Sequence, residues 1–289
     1  MRTALLLASA LSLSLAGCGR GEPTDANHAS AAQHDNMAGM AGIGATERSA
    51  PTLRLGLTAA GPFAVGRPQQ VTLTLTDLAS GKPMGADDLA VAHTKRLHLL
   101  IVDASLSDYQ HIHPVPDPAR PGQWRFDFAP RFARTYRVWA DVTRPSGKQE
   151  YVGAELAAGK ETAPAPTTAT TLSAKADGLT FRLSFPKPLK VGEAVEGNIA
   201  IADAATGKPF AGLQPIMGAF GHIVAFAGDW DSIEHVHPLG VVPTSESARS
   251  GPTIRFHLKP EKAGVLKLFA QIEANGHETI VPFTTSVAP

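Results

Sequence analysis

Val71-Thr72-Leu73-Thr74-Leu75-Thr76 alternates apolar and polar residues without a break, which puts its apolar side chains on one face of an extended strand. Phe181, Leu183 and Phe185 repeat the pattern, as do Leu266, Leu268, Ala270 and Ile272. Turn-forming stretches such as Ala79-Ser80-Gly81-Lys82-Pro83 separate the short runs, and helical periodicity is not sustained beyond the first residues. Leu97-His98-Leu99-Leu100-Ile101-Val102 reads as one strand, 103–108 as a loop, and Tyr109-Gln110-His111-Ile112-His113 as the returning strand, closed by Pro114. Short strands at this spacing predict an all-β protein built of antiparallel sandwiches.

The pattern occurs twice. Val65-Gly66 and Gly81-Lys82-Pro83 recur as Val191-Gly192 and Gly207-Lys208-Pro209, 126 positions on. His98, His111, His113 and Pro114 recur as His222, His235, His237 and Pro238 at an offset of 124, and Arg125-Phe126 as Arg255-Phe256 at 130. A repeat this long means two copies of a domain rather than a solenoid. The expected organisation is two tandem immunoglobulin-like β-sandwich domains, 52–156 and 172–289. A Pro/Thr/Ala-rich linker, 157–171, joins them, and a disordered tether, 18–51, precedes them.

Met1-Arg2-Thr3 supplies a basic start, residues 4–16 an apolar run, and Leu15-Ala16-Gly17-Cys18 small residues before a cut site, as in a secretory signal. The run is shorter than the roughly 20 residues of a spanning helix. Leu-Ala-Gly-Cys resembles the bacterial lipobox. The resemblance implies that residues 1–17 are removed as a signal peptide and that Cys18 is lipidated, anchoring the chain to a membrane outside the cytoplasm. Gly19 is not the Asp of an inner-membrane retention signal, so in a cell with two membranes the outer one, facing the periplasm, is expected. An ordinary cleaved signal with a chance cysteine is the alternative.

Cys18 is the one cysteine; if it carries lipid no free thiol is left, disulfides and cysteine-based metal sites are excluded, and metal chemistry falls to His, Met and carboxylates. The formal net charge is zero and no long basic run occurs, which argues against nucleic acid as partner. His111 and His113 share a strand face, and a hairpin sets His98 opposite one of them. His222, His235 and His237 repeat the set. Three neutral imidazoles suit Cu(II), Zn(II) or Ni(II) and leave a coordination position open. Asp108 and Glu234 are candidate fourth ligands. The competing reading is a buried polar network that holds each hairpin, because His222 shares its face with Val224 and Phe226, a face expected to point into the core.

The tether carries His28 and then His34-Asp35-Asn36-Met37-Ala38-Gly39-Met40. Thioethers select Cu(I), and His34, Met37 and Met40 could wrap one ion, unless the stretch is only low-complexity spacer. This stretch resembles the Met/His-rich segments of bacterial copper-resistance proteins, which implies copper trafficking and an envelope protein partner in metal transfer. Having only two Met argues against high-capacity storage. The His…His-x-His-Pro pattern followed by Arg-Phe is similar to tandem YtkA-like (FixH-like) β-sandwich domains of secreted bacterial proteins, which implies fold and compartment. The expected function is that of an envelope lipoprotein binding copper as Cu(I) or Cu(II), with zinc as the alternative metal. The other reading is a non-enzymatic interaction module with structural histidines. No nucleophile elbow, paired-carboxylate motif or phosphate loop points to an enzyme, although an open three-His metal site is a possible catalyst.

Overall fold

The computed structural model describes residues 51–236 and 238–289. The first half folds as β1 (Leu53–Ala59), β2 (Gln69–Asp77), β3 (Leu97–Asp103), β4 (Tyr109–Ile112), β5 (Val115–Pro116), β6 (Gln123–Phe128), β7 (Thr135–Thr143) and β8 (Gln149–Ala157). Sheet β1-β2-β6-β5 faces sheet β4-β3-β7-β8, and every pairing is antiparallel. A single 3-10 turn, Ala86–Asp88, is the helical structure among the described residues.

The second half begins with β9 (Ser173–Ala176), β10 (Leu179–Ser184), β11 (Leu189–Lys190), β12 (Val195–Asp203) and β13 (Leu213–Gln214). It continues with β14 (His222–Ala227), β15 (Ile233–Val236), β16 (Pro238–Leu239), β17 (Thr253–Leu258), β18 (Gly264–Ala274) and β19 (His277–Ala288). Its sheets are β16-β17-β12-β10-β9 and β15-β14-β18-β19-β11, with β13 also on β18. The fold is therefore all-β with one sandwich in each half.

Each half has its own core because alternation puts one face of every strand inside. Val71, Leu73 and Leu75 of β2 meet Leu97, Leu99, Ile101 and Trp124 in the first core. Phe181, Leu183, Leu266, Leu268, Ala270 and Ile272 line the second. The repeated turns are built alike: Asp77 accepts from the backbone N–H of Ser80, and Asp203 from that of Thr206. The glycines that follow, Gly81 and Gly207, take left-handed φ of 67° and 70°, which favour glycine. Between the halves, Glu161 ion-pairs with Arg134 of the first and Thr171 bridges to Thr284 of the second.

A third apolar cluster joins the halves. Leu100, Val102, Leu106, Tyr109 and Trp139 pack with Val224, Phe226 and Phe269, flanked by Tyr151, Trp230, Ile233 and Ile280. Tyr109 stacks on Phe269 with ring centroids 4.6 Å apart. Strands β3 and β14 thus have both faces covered, one by their own sandwich and one by the other half. All seven residues of β3 and all six of β14 are buried for this reason.

Candidate metal centre

Strand β3 alternates between two buried environments. Leu97, Leu99 and Ile101 enter the first core, while His98, Leu100 and Val102 face the other half. Strand β14 does the same with Ile223 and Ala225 inward and His222, Val224 and Phe226 outward. The expectation that the His222 face points into its own sandwich core is corrected by this arrangement: the face is buried, but in the contact between halves. In the β3–β4 ladder Leu100 pairs with His111 and Leu99 with Ile112, so His113, just past the end of β4, comes level with His98.

The three histidines converge. His98 Nδ1 lies 3.1 Å from His111 Nε2 and 3.1 Å from His113 Nε2. One nitrogen from each of the three lies within 4.8 Å of the others. Tetrahedral ligands with bonds of about 2.0–2.1 Å hold their nitrogens roughly 3.3 Å apart, so two of the three spacings already suit one ion.

Proton positions follow from the neighbours. His98 Nε2 lies 3.0 Å from the Ala92 carbonyl, which only accepts, so Nε2 carries the proton and Nδ1 the lone pair. Gln271 Nε2 donates to Glu278 Oε1 at 2.7 Å, which turns Gln271 Oε1 toward His111 Nδ1, also at 2.7 Å. His111 therefore holds its proton on Nδ1 and its lone pair on Nε2. Two lone pairs, on His98 Nδ1 and His111 Nε2, face one another. Burial comes first in lowering His113 from the usual imidazole value to about 4, followed by repulsion from His98 once that ring is protonated and from Lys95, so at neutral pH His113 too is uncharged. Neutral imidazoles whose outer N–H groups are held by a carbonyl and an amide are the state in which histidine ligates metal.

The second half repeats part of this frame. His222 Nε2 lies 3.1 Å from the Ile216 carbonyl, as His98 Nε2 does from that of Ala92, so its Nδ1 also carries the lone pair. The side chain of His235 and all of His237 lie outside the described residues, as do the side chain of Glu234, and Cys18, His28, His34, Met37 and Met40. Among the described residues, the one group of three or more His, Cys, Asp or Glu side chains able to hold an ion is His98, His111 and His113.

Asp108 is not the fourth ligand. It sits at the far end of the β3–β4 hairpin, fully buried, where it accepts from the Tyr136 hydroxyl at 2.7 Å and the Arg131 backbone N–H at 2.8 Å. Those bonds fix the loop, because a buried carboxylate must be paired. Three residues that the sequence reading passed over bear on the site. Gln271 orients His111 from the other half. Glu278 orients Gln271. His93, in the turn before β3, places its ring 5.4 Å from that of His222 and 6.0 Å from that of His98.

The model of a family described as a domain of unknown function, DUF8832, matches residues 50–159 and again 174–289. No curated protein matches the chain. Among solved structures it is similar to a red sea bream transglutaminase, at 14% identity and a TM-score of 0.24 over 84% of this chain and 32% of that one. It is also similar to a Salmonella alpha-2-macroglobulin mutant, at 13% identity and a TM-score of 0.23 over 83% of this chain and 15% of that one. Domains 4 and 5 of the S-layer protein SbsC follow at 12% identity and a TM-score of 0.21, covering 82% of this chain and 98% of that one. The chain thus spans less than a third of the length of the first two.

Proposed function

Because this chain belongs to the DUF8832 family, whose function is unknown, its role is read from the site, and we propose that it is a metal-binding protein of the bacterial cell envelope. The observation that carries the reading is the pair of lone-pair nitrogens, His98 Nδ1 and His111 Nε2, 3.1 Å apart with His113 beside them. Lone pairs aimed at one another repel unless a proton or a metal ion lies between them, and three imidazoles with an open position suit Cu(II) or Zn(II). Copper is the proposed metal. Imidazole accepts both of its oxidation states, and the His34, Met37 and Met40 stretch resembles copper-resistance segments. In this reading a lipid on Cys18 tethers the protein, the tail exchanges Cu(I) with an envelope partner, and the folded halves hold the ion. The role is binding rather than catalysis.

The test uses the chain without residues 1–18, with metal content measured after loading with copper or zinc. Stoichiometric metal in the wild type, lost in His111→Ala, is expected. Equal metal in both proteins rules out the site. A parallel titration lacking residues 19–50 separates the tail from the folded part. Labelling of the full chain with radioactive palmitate, absent in Cys18→Ser, tests the anchor.

A second reading is favoured by the position of the cluster. His111 is bonded to Gln271 across the halves, so the histidines would brace the interface of a protein-interaction module without any ion. In that case stoichiometric copper or zinc leaves the melting temperature unchanged, whereas a native-state ligand raises it.

A further inference from the structure

The contact between halves is self-complementary. Offsets of 124 before the Arg125/Arg255 match, and of 130 after it, make Leu100 the counterpart of Val224, Val102 of Phe226, Leu106 of Trp230, Tyr109 of Ile233 and Trp139 of Phe269. All ten belong to the cluster that joins the halves. An interface built from the same patch on both sides is isologous: if position i on one side meets j on the other, then j on the first meets i on the second.

The turns that lead into β3 and β14 are counterparts as well. Ala92 and Lys95 close one, Ile216 and Ala219 the other, each by a pair of backbone hydrogen bonds. Their central residues take the same left-handed backbone, His93 and Thr94 at φ 48° and 68°, Met217 and Gly218 at 49° and 78°. A Cβ on Gly218 would lie 3.8 Å from Thr94 Cγ2, so the two turns meet tip to tip, where the approximate two-fold axis passes. His93 reaches over that axis to His222, ring centroids 5.4 Å apart. At the same offset of 124, Met217 is the counterpart of His93 and His222 that of His98, so by the approximate two-fold the reciprocal of His93 on His222 would be Met217 on His98.

We propose that the two turns exchange metal ligands across the axis. The Met217 thioether joins His98, His111 and His113 on one ion, and His93 joins His222 on a second, adjacent ion. The inference rests on the metal-binding reading above. Two rings on one tetrahedral ion have centroids roughly 5 Å apart given bonds of about 2.0–2.1 Å. The spacings of 4.8, 4.9 and 5.3 Å among His98, His111 and His113 suit one ion, and so does 5.4 Å for His93 and His222. The 6.5 Å between His111 and His222 does not, which sets the second ion apart from the first. A three-His-plus-thioether set takes Cu(I) or Cu(II), because sulfur selects copper. The imidazoles of the second position accept zinc equally well.

The experiment uses the chain from Gly19 onward with Met37 and Met40 replaced by Leu throughout, so that Met84, buried in the first core, and Met217 supply the remaining thioethers. In this background, Cu(I) affinity is measured by competition with a coloured chelator, copper–sulfur scattering by X-ray absorption, and zinc stoichiometry by titration. Met217→Leu is expected to weaken Cu(I) at least tenfold and abolish the sulfur shell while changing zinc affinity less than twofold. His93→Asn, which tolerates the left-handed turn, is expected to reduce two zinc ions per chain to one, with the remaining ion still lost in His111→Ala. His111-dependent metal with an unchanged sulfur signal in Met217→Leu and unchanged stoichiometry in His93→Asn overturns the exchange and leaves the metal centre standing. No bound metal in the background protein overturns both.

Discussion

Gln271→Leu separates an oriented metal ligand from a merely crowded histidine. Gln271 is 3% exposed and makes two bonds at once, accepting from His111 and donating to Glu278. Leucine fills similar space and makes neither bond, so the His111 N–H and the Glu278 carboxylate each lose a partner. Glu278 is exposed and turns to water, so the penalty falls on the half-buried His111 N–H; a stranded buried group costs about 1–3 kcal/mol, and each kcal/mol lowers the melting temperature by about 2–4 °C in a protein this size. The ring also loses the contact that fixes its tautomer, and removal of such outer partners costs about 10–100-fold in metal affinity, or about 1.4–2.8 kcal/mol. The assay is zinc competition against a chromogenic chelator, with melting followed in apo and loaded protein. A second variant sharpens it. In the first half the matching pair has the opposite polarity: Gln149 Nε2 donates to Asp141 Oδ1 at 2.8 Å. Gln271→Glu combined with Glu278→Gln copies that arrangement and is expected to hold metal at wild-type affinity or better, because a carboxylate makes the imidazole a stronger donor. Affinity within twofold of wild type in Gln271→Leu, or a double variant as weak as Gln271→Leu, refutes the reasoning.

Phe226→Ala, at the centre of the contact between halves, is expected to cost about 3–5 kcal/mol and to make the linker at 157–171 more sensitive to protease while each sandwich core persists; unfolding curves by fluorescence and limited proteolysis check this. Tyr136→Phe removes the hydroxyl that donates to buried Asp108 and is expected to lower stability by about 1–3 kcal/mol in chemical denaturation without altering metal stoichiometry. Acid is expected to destabilise the fold through Asp103. Its burial raises the carboxyl, but bonds from the Ser105 hydroxyl and the backbone N–H groups of Asp108, Ser107 and Ser105 outweigh that and hold it below the usual aspartate value. A depressed carboxyl stabilises fully above the unfolded value of about 3.9, and that contribution is lost as pH falls through the lower folded value. Asp103→Asn should therefore flatten the loss of stability below about pH 4 in a denaturation series.

Alternation was enough to read the sandwiches, since Val71, Leu73 and Leu75, or Leu266, Leu268, Ala270 and Ile272, put every second side chain into one core. The joining face was harder to read. Strand β3 carries Leu99-Leu100-Ile101-Val102 and β14 carries Ile223-Val224-Ala225-Phe226, runs without alternation. Such runs mark strands covered on both sides, but they do not say that the second cover is the other half. For the same reason the convergence of His98, His111 and His113 could be anticipated from strand geometry, whereas Gln271 is remote in sequence from all three. His93 and Met217 fall in turns at the same offset of 124 as the triads, so self-comparison could have found their positions. It could not have found that His93 reaches across the interface to His222. Asp108 was misplaced because it ends the loop next to β4, and spacing alone does not tell which end of a hairpin a carboxylate serves.

The self-complementary face has a consequence for how the two halves stay together. Either half alone would present a patch that fits a copy of itself, and would pair only at concentrations set by its affinity. Joined through residues 157–171, the partner is always present at an effective concentration of about millimolar. Duplication within one chain thus turns a dilution-sensitive dimer into a contact that survives at any abundance in the cell. It also frees the two sides to diverge, which a true homodimer cannot do, so that one turn can carry His93 where the other carries Met217.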